Sequence, residues 1–293
     1  MCIFSYFFCI FVEKYQMSHK ELMNLLESVL QDKIEYIGNQ IVRTNSGSEY
    51  FLKSGRESDI YQCEANGLKE LALAQSIRVA KVVSVGSYYL LTEYIRRGTA
   101  SEDFFCRFGR EFARMHRFES GHFGFYENNF IGNNVQNNLA EVNERTDWAA
   151  FYFNKRILFQ YKLAERNGYA TREMRNGMVR LEQNIALILK DSIEPPCLLH
   201  GDLWVGNYIC DENGEAVLID PAVYYGHREA DLAMTKLFGG FSRSFYDSYQ
   251  REYPLKPGWE YREGLYKLYH LLNHLNLFGR GYLHEAESIL SKY

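Results

Sequence analysis

Apolar and polar positions recur with two different periods along this 293-residue chain, and the balance between them shifts about a third of the way in. Over residues 18–30, Leu22, Leu25, Leu26, Val29 and Leu30 return at helical spacing behind Ser18, which predicts an amphipathic helix with a serine cap. Residues 34–37, 40–43 and 50–53 are short and strand-like, and Asn45-Ser46-Gly47 between the last two predicts a hairpin turn. Helical spacing resumes over 60–75. Residues 79–85 and 88–95 then run apolar on either side of Gly86-Ser87, as paired strands do.

After Arg96-Arg97-Gly98 the texture becomes helical. Residues 101–117 set Phe104, Phe105, Phe108, Phe112 and Met115 on one side of a helix, and His116 is expected in the core with them. A glycine- and asparagine-rich loop is expected over 121–138, followed by long amphipathic helices over 146–166 and 171–191. Pro195-Pro196 stops the second of these. Residues 197–200, 208–210 and 216–219 are short apolar strand-like pieces, and the chain from Glu229 onward is mainly helical. A strand-rich first third before a helix-rich remainder predicts an α+β chain of two lobes. The boundaries expected are 17–95 for a small antiparallel-sheet lobe and 96–293 for a larger, mainly helical one.

Composition adds limits more than content. Apolar residues at 46% and charged residues at 24% are ordinary for a globular chain with a full core. A net charge of −4 argues against a nucleic-acid partner. The six cysteines have no C-x-x-C spacing, which argues against zinc and disulfides and for a reducing, cytoplasmic setting. The apolar run over 2–12 is too short to span a bilayer, and it lacks the basic flank and cleavage site of a secretory signal. No membrane partner is therefore expected. Met17-Ser18-His19-Lys20 reads as a start context, so residues 1–16 are expected to be a start-site extension rather than an extra strand or a lipid-facing anchor.

The densest chemical signal is Leu198-Leu199-His200-Gly201-Asp202-Leu203-Trp204-Val205-Gly206-Asn207, followed by Val217-Leu218-Ile219-Asp220-Pro221. An acid and an amide stand five positions apart, and a second acid ends an apolar strand eighteen positions after the first. Phosphoryl transfer needs this set: a carboxylate to orient the attacking hydroxyl and hard oxygen ligands for magnesium beside the nucleotide phosphates. Asp202 fits the base, and Asn207 with Asp220 fits the metal pair. Each residue alone also fits a turn or a cap; the string as a whole does not.

The string resembles the H-x-D-x-x-x-x-N loop of the protein-kinase-like and aminoglycoside phosphotransferase-like superfamily. His200 matches its structural histidine, and Asp231 matches the helix aspartate that ties down the catalytic-loop backbone. Gly201 stands where many protein kinases carry arginine, Asp220 precedes Pro-Ala, and only about eight residues separate Asp220 from Glu229. That leaves no room for a long peptide-docking segment and points to a small-molecule kinase. The resemblance implies that Lys53 holds the α- and β-phosphates of ATP, with Glu64 bracing it and Glu93, Tyr94 and Ile95 meeting the adenine. No G-x-G-x-x-G is present, so the phosphate-covering loop falls at Gly38 or over residues 45–48.

HGDLWVGN, IDPAVYYGHREADLAMTKLFGGF and LNHLNLFGRGY, together with FGFYENNFIGNN, are similar to the fructosamine kinase (ketosamine-3-kinase) family. What that resemblance implies is ATP- and Mg2+-dependent phosphorylation of the 3-hydroxyl of a small-molecule or protein-linked ketosamine, a deglycation repair step. It places Trp204 near the sugar, and Asn273 and His274 are candidate sugar-hydroxyl partners whose ordinary alternative is a helix core. Two other readings stand beside it: a different small-molecule kinase, such as one acting on aminoglycosides or choline, and a catalytically silent nucleotide-binding module.

Overall fold

Ser18 caps the first helix from both sides, its hydroxyl accepting from the Glu21 N–H at 3.2 Å while the Glu21 carboxylate accepts from the Ser18 N–H at 2.8 Å. The computed structural model describes residues 17–293, and the extension expected over 1–16 lies outside them. Helix α1 (His19–Leu30) leads into strands β1 (Ile34–Gly38), β2 (Ile41–Thr44) and β3 (Glu49–Ser54). Helix α2 (Ile60–Leu73) and strand β4 (Arg78–Val79) follow, then β5 (Val82–Gly86) and β6 (Tyr89–Glu93).

Two compact units divide the described residues, one comprising 17–62 and 83–94 and the other 63–82 and 95–293. The first is built on a sheet of order β1-β2-β3-β6-β5. β1, β2, β3 and β6 pair antiparallel, with Leu52 opposite Leu91 and Lys53 opposite Leu90. Leu22 and Leu26 of α1 pack on Val42, Leu52, Tyr89 and Leu91 to make its core.

The second unit continues with α3 (Phe104–Met115), the hairpin β7 (Asn129–Ile131) and β8 (Asn134–Gln136), and α4 (Trp148–Tyr152). A π-helical turn at Phe153–Leu158 joins α4 to α5 (Phe159–Arg166). Then come α6 (Arg172–Leu189), β9 (Cys197–Leu199), β10 (Tyr208–Cys210), β11 (Ala216–Leu218), β12 (Tyr224–Gly226), α7 (Glu229–Thr235), α8 (Arg243–Glu252), α9 (Trp259–Phe278) and α10 (Leu283–Leu290). The phenylalanine stripe of α3 is the centre of an aromatic core: Phe108 lies 5.1 Å from both Tyr208 and Phe245. Gly109 faces the Phe245 backbone, and a side chain there would hold α3 and α8 apart.

Two expectations change, and one strand appears where none was expected. The run over 79–85 is not one strand: Arg78–Val79 pairs parallel with Val217–Leu218, and the chain restarts as β5. The loop over 121–138 contains the β7–β8 hairpin, and Tyr224–Gly226 forms a strand against β9. Each of these is a strand of two or three residues whose partner is distant or hidden in a polar sequence, so periodicity has nothing to register.

Candidate active site

Strand β9 is fully buried, and its partner β12 sets Tyr224 opposite Leu199 and Gly226 opposite Cys197. This ladder fixes the take-off of the loop that carries His200 to Asn207. Asp231, in the first turn of α7, then holds the loop from below. One of its oxygens accepts from the His200 N–H at 2.7 Å and the other from the Gly201 N–H at 2.8 Å. His116 adds a contact at 3.2 Å and is itself bound to the Tyr249 hydroxyl. Burial works against the Asp231 charge, but the bonds from His116 and Gly201 together hold its carboxyl below the usual range.

His200 is also completely buried, and burial lowers its pKa, so the ring is neutral. Its Nε2 lies 2.9 Å from the Ile219 carbonyl, while its Nδ1 accepts from the Asp202 N–H at 3.2 Å. One imidazole thus ties the strand leading to Asp220 to the loop carrying Asp202. Gly201 has φ +82, and a Cβ on it would be driven into the carbonyl oxygen of Ala222. The arginine found at this point in many protein kinases has no space here.

Asp202, Asn207 and Asp220 come together at this junction. The Asn207 side-chain NH2 donates to the Asp202 carbonyl at 2.7 Å and to its carboxylate at 3.2 Å, with a weak contact of 3.5 Å to the Asp220 carbonyl. All three contacts use the nitrogen, so Oδ1 is left as the free acceptor of a fixed amide. Asp220 is half-buried and sits at φ +53, a left-handed conformation that costs a non-glycine residue energy. Burial pushes the Asp202 carboxyl up to about 8, with the Asp220 and Asp231 charges adding to the push and the Asn207 bond opposing it.

The donor set suits magnesium. One amide oxygen and one carboxylate are hard ligands, enough for an ion that keeps waters and shares nucleotide phosphates. Among the described residues no trio of His, Cys, Asp or Glu forms a cage for a softer metal.

From Pro221 through Thr235 every residue is buried, so the stretch after Asp220 is core. Gly67 of α2 lets that helix close on Pro221 and Val223, where an added Cβ would meet their side chains at 3.2 to 3.3 Å. Glu229 leaves the site altogether and forms a buried two-point pair with Arg262, at 2.8 and 2.6 Å.

Trp204 folds over Gly206 and meets Phe238 edge-on at 6.0 Å. Phe238 lies 4.8 Å from His274, which in turn contacts Phe278 and Tyr282. These rings run from the catalytic loop to the end of α9. His274 is half-buried, with Nδ1 on the His270 carbonyl at 2.8 Å. Asn273 is buried, and its Oδ1 accepts from Asn134 and Gln160.

Lys53 lies on β3 and Glu93 ends β6, with Tyr94 just beyond, all in the first unit; Glu64 on α2 and Ile95 belong to the second. Sequence reasoning did not find Asn129, Gln136, Tyr269 or Arg156, which surround the catalytic segment from behind. The alternation Asn129-Phe130-Ile131 and Asn134-Val135-Gln136 about Gly132-Asn133 was the available hairpin signal.

A catalytic-loop aspartate, an amide five positions on and a strand-terminal acid, held by a buried helix aspartate, define a phosphotransferase of the protein-kinase-like fold. The chain belongs to the fructosamine kinase family, whose model matches residues 17–293. A chloroplastic protein-ribulosamine 3-kinase of Arabidopsis thaliana is 40% identical over 260 residues, covering 86% of this chain and 77% of that protein. A solved structure assigned as a fructosamine-3-kinase, from Thermobifida fusca, superposes with a TM-score of 0.84 at 27% identity, over 94% of this chain and 99% of its own. A choline kinase from Streptococcus pneumoniae shares the fold, with a TM-score of 0.60 at 18% identity over 94% of this chain and 100% of its own. The family is one of ATP-using kinases.

Proposed function

We propose that this chain is a ketosamine 3-kinase that transfers the γ-phosphoryl group of ATP to the 3-hydroxyl of a ribulosamine or fructosamine, free or protein-linked. The observation that carries the reading is the convergence of Asp202, Asn207 and Asp220 on one clamped loop in a chain of this family. In the reaction the hydroxyl oxygen bonds to the γ-phosphorus, its proton passes to an Asp202 carboxylate oxygen, and the bridging P–O bond to ADP breaks. Magnesium, held by Asn207 and Asp220, would neutralise phosphate charge. A cation at Asp220 would lessen one of the smaller pushes on the Asp202 carboxyl, whose largest is burial.

Lys53 and Glu64 serve the phosphates in this reading, and Glu93, Tyr94 and Ile95 the adenine; these roles rest on the family resemblance. Trp204, with Asn273 and His274, is assigned to the sugar side. The 3-phosphate is unstable and sheds its sugar, so the biological outcome would be deglycation of the amine. The scattered spacing of the six cysteines favours a reducing setting, such as the cytoplasm, for this activity. Among the described residues no helix is long and apolar enough to cross a membrane.

The test is incubation of purified chain with MgATP and either ribuloselysine or fructoselysine, with the phosphorylated sugar followed by 31P NMR. Formation of the 3-phosphate is the expected result. Turnover of choline or an aminoglycoside with none of either ketosamine would overturn the assignment.

A further inference from the structure

Behind the segment that follows Asp220 lies a buried network of amides in which nearly every donor and acceptor is used. Gln136 donates through Nε2 to the Ala222 carbonyl and to Asn129 Oδ1, both at 2.9 Å. Asn129 donates to the Val223 carbonyl at 2.7 Å, and its Oδ1 also accepts from Asn138 at 2.7 Å. Asn138 Oδ1 accepts from Arg156 at 2.7 Å. The Tyr269 hydroxyl donates to Gln136 Oε1 at 2.7 Å, which fixes which end of that amide faces Ala222.

Asn129, Gln136, Asn138, Arg156 and Tyr269 are each at most 3% exposed. A polar network this dry fixes a single arrangement, because any rotated amide would leave a donor or acceptor unmet. Arg156 is its anchor. The guanidinium also donates to the Asn137 carbonyl at 2.6 Å and lies 3.9 Å over the Tyr224 ring, reached from the wide π turn at Phe153–Leu158.

The two carbonyls gripped by Gln136 and Asn129 belong to the second and third residues after Asp220. Ala222 is held from its other side as well, its N–H donating to the His200 carbonyl at 2.9 Å. Asp220 itself sits in a left-handed conformation that local sequence does not favour. His200 and Asn207 reach the Ile219 and Asp220 carbonyls on one side, and the amide network grips the backbone two and three residues further on.

We propose that Gln136 and Asn129, anchored through Asn138 to Arg156, are positioning residues that set the Asp220 backbone so that its carboxylate and Asn207 Oδ1 address one cation. The β7–β8 hairpin thereby does for this chain what an ordered activation segment does in a protein kinase. The inference rests on the proposed metal role of Asp220.

The test is Gln136→Met, which keeps length and removes both donations, with Mn2+ as the probe. Electron paramagnetic resonance reads Mn2+ binding to the protein·ADP complex, and calorimetry reads ADP binding in EDTA. The expected result is Mn2+ affinity down roughly tenfold, kcat down by a similar factor, ADP affinity in EDTA unchanged and ketosamine KM changed less than twofold. Unchanged Mn2+ affinity in a folded variant, even with a lowered melting temperature, overturns the proposal and leaves Gln136 a packing residue. If Gln136→Met does not fold, Tyr269→Phe keeps the ring and removes the bond that orients the Gln136 amide, along with a contact to Gln160. A three- to fivefold loss of Mn2+ affinity there supports the proposal, and no loss overturns it. Wild-type protein that binds Mn2+·ADP but phosphorylates no ketosamine sinks the substrate assignment alone.

Discussion

Gly201 and the carbonyl oxygen of Ala222 are packed so closely that the glycine has no room for a Cβ, and its φ of +82 disfavours any other residue. This contact joins the loop bearing the proposed base to the segment bearing the proposed metal ligand. A side chain here would push apart the two halves of the site as well as strain the backbone. Gly201→Ala is expected to lower stability by about 2–4 kcal/mol in urea unfolding. It should also lower kcat by roughly a hundredfold or more while leaving ADP affinity in EDTA near normal. Full activity in this variant would mean that the two segments move independently.

Asp202 offers a separation of catalysis from stability. Its carboxyl is pushed up to about 8 by burial and by the nearby carboxylates, whereas the unfolded chain releases that proton near the ordinary aspartate value. The folded state therefore holds the proton more tightly. Stability contributed by this group is full below about pH 4 and is lost progressively as pH rises towards 8. Asp202 is half-buried, so solvent screening trims the effect to about 1–2 kcal/mol. Asp202→Asn should lower turnover by roughly 10²- to 10⁴-fold. In metal-free buffer at pH 8 the same variant should be at least as stable as the parent, which thermal unfolding across pH 5 to 8 will show.

His270 supplies the opposite slope. It is buried in α9, its Nδ1 has no hydrogen-bond partner, and burial drives its pKa down to about 3. The folded state excludes a proton that the unfolded chain takes up near 6.5. The stability it contributes is present above that value and falls as pH drops from 6.5 towards 3, by up to about 4 kcal/mol. His270→Leu should flatten the acid limb of the stability curve, as read by urea midpoints from pH 7 to 4. An unchanged limb would assign acid sensitivity to His116, His200 and His227, whose pKa values burial also lowers.

Much of this molecule is legible in its sequence, for reasons that differ by element. The cap at Ser18, the phenylalanine stripe of α3 and the strand before Asp220 are local: each is written in consecutive residues with the period of the structure they adopt. His200, Asp202, Asn207 and Asp220 stand out in the sequence because of their spacing, and the structure brings them to one junction. Gln136 and Asn129 do not stand out, since an asparagine-rich stretch has the composition of an exposed loop and only its distant partners reveal it as buried. Arg156 was missed for a related reason. A lysine-arginine pair on an amphipathic helix predicts a wet face, but the π turn at Phe153–Leu158 alters the helical phase, and Arg156 is completely buried. Arg78–Val79 shows a third limit, because a two-residue strand pairing parallel across the chain with Val217–Leu218 has no signature of its own.

The run of buried residues from Pro221 to Thr235 has a consequence for how the chain is governed. Tyr224, Tyr225 and Thr235 are the hydroxyl-bearing residues in that run; Tyr224 and Thr235 are sealed in the core, while Tyr225 reaches its edge and donates to Glu70 at 2.7 Å. A modifying enzyme could meet Tyr224 and Thr235 only after the core around them had opened.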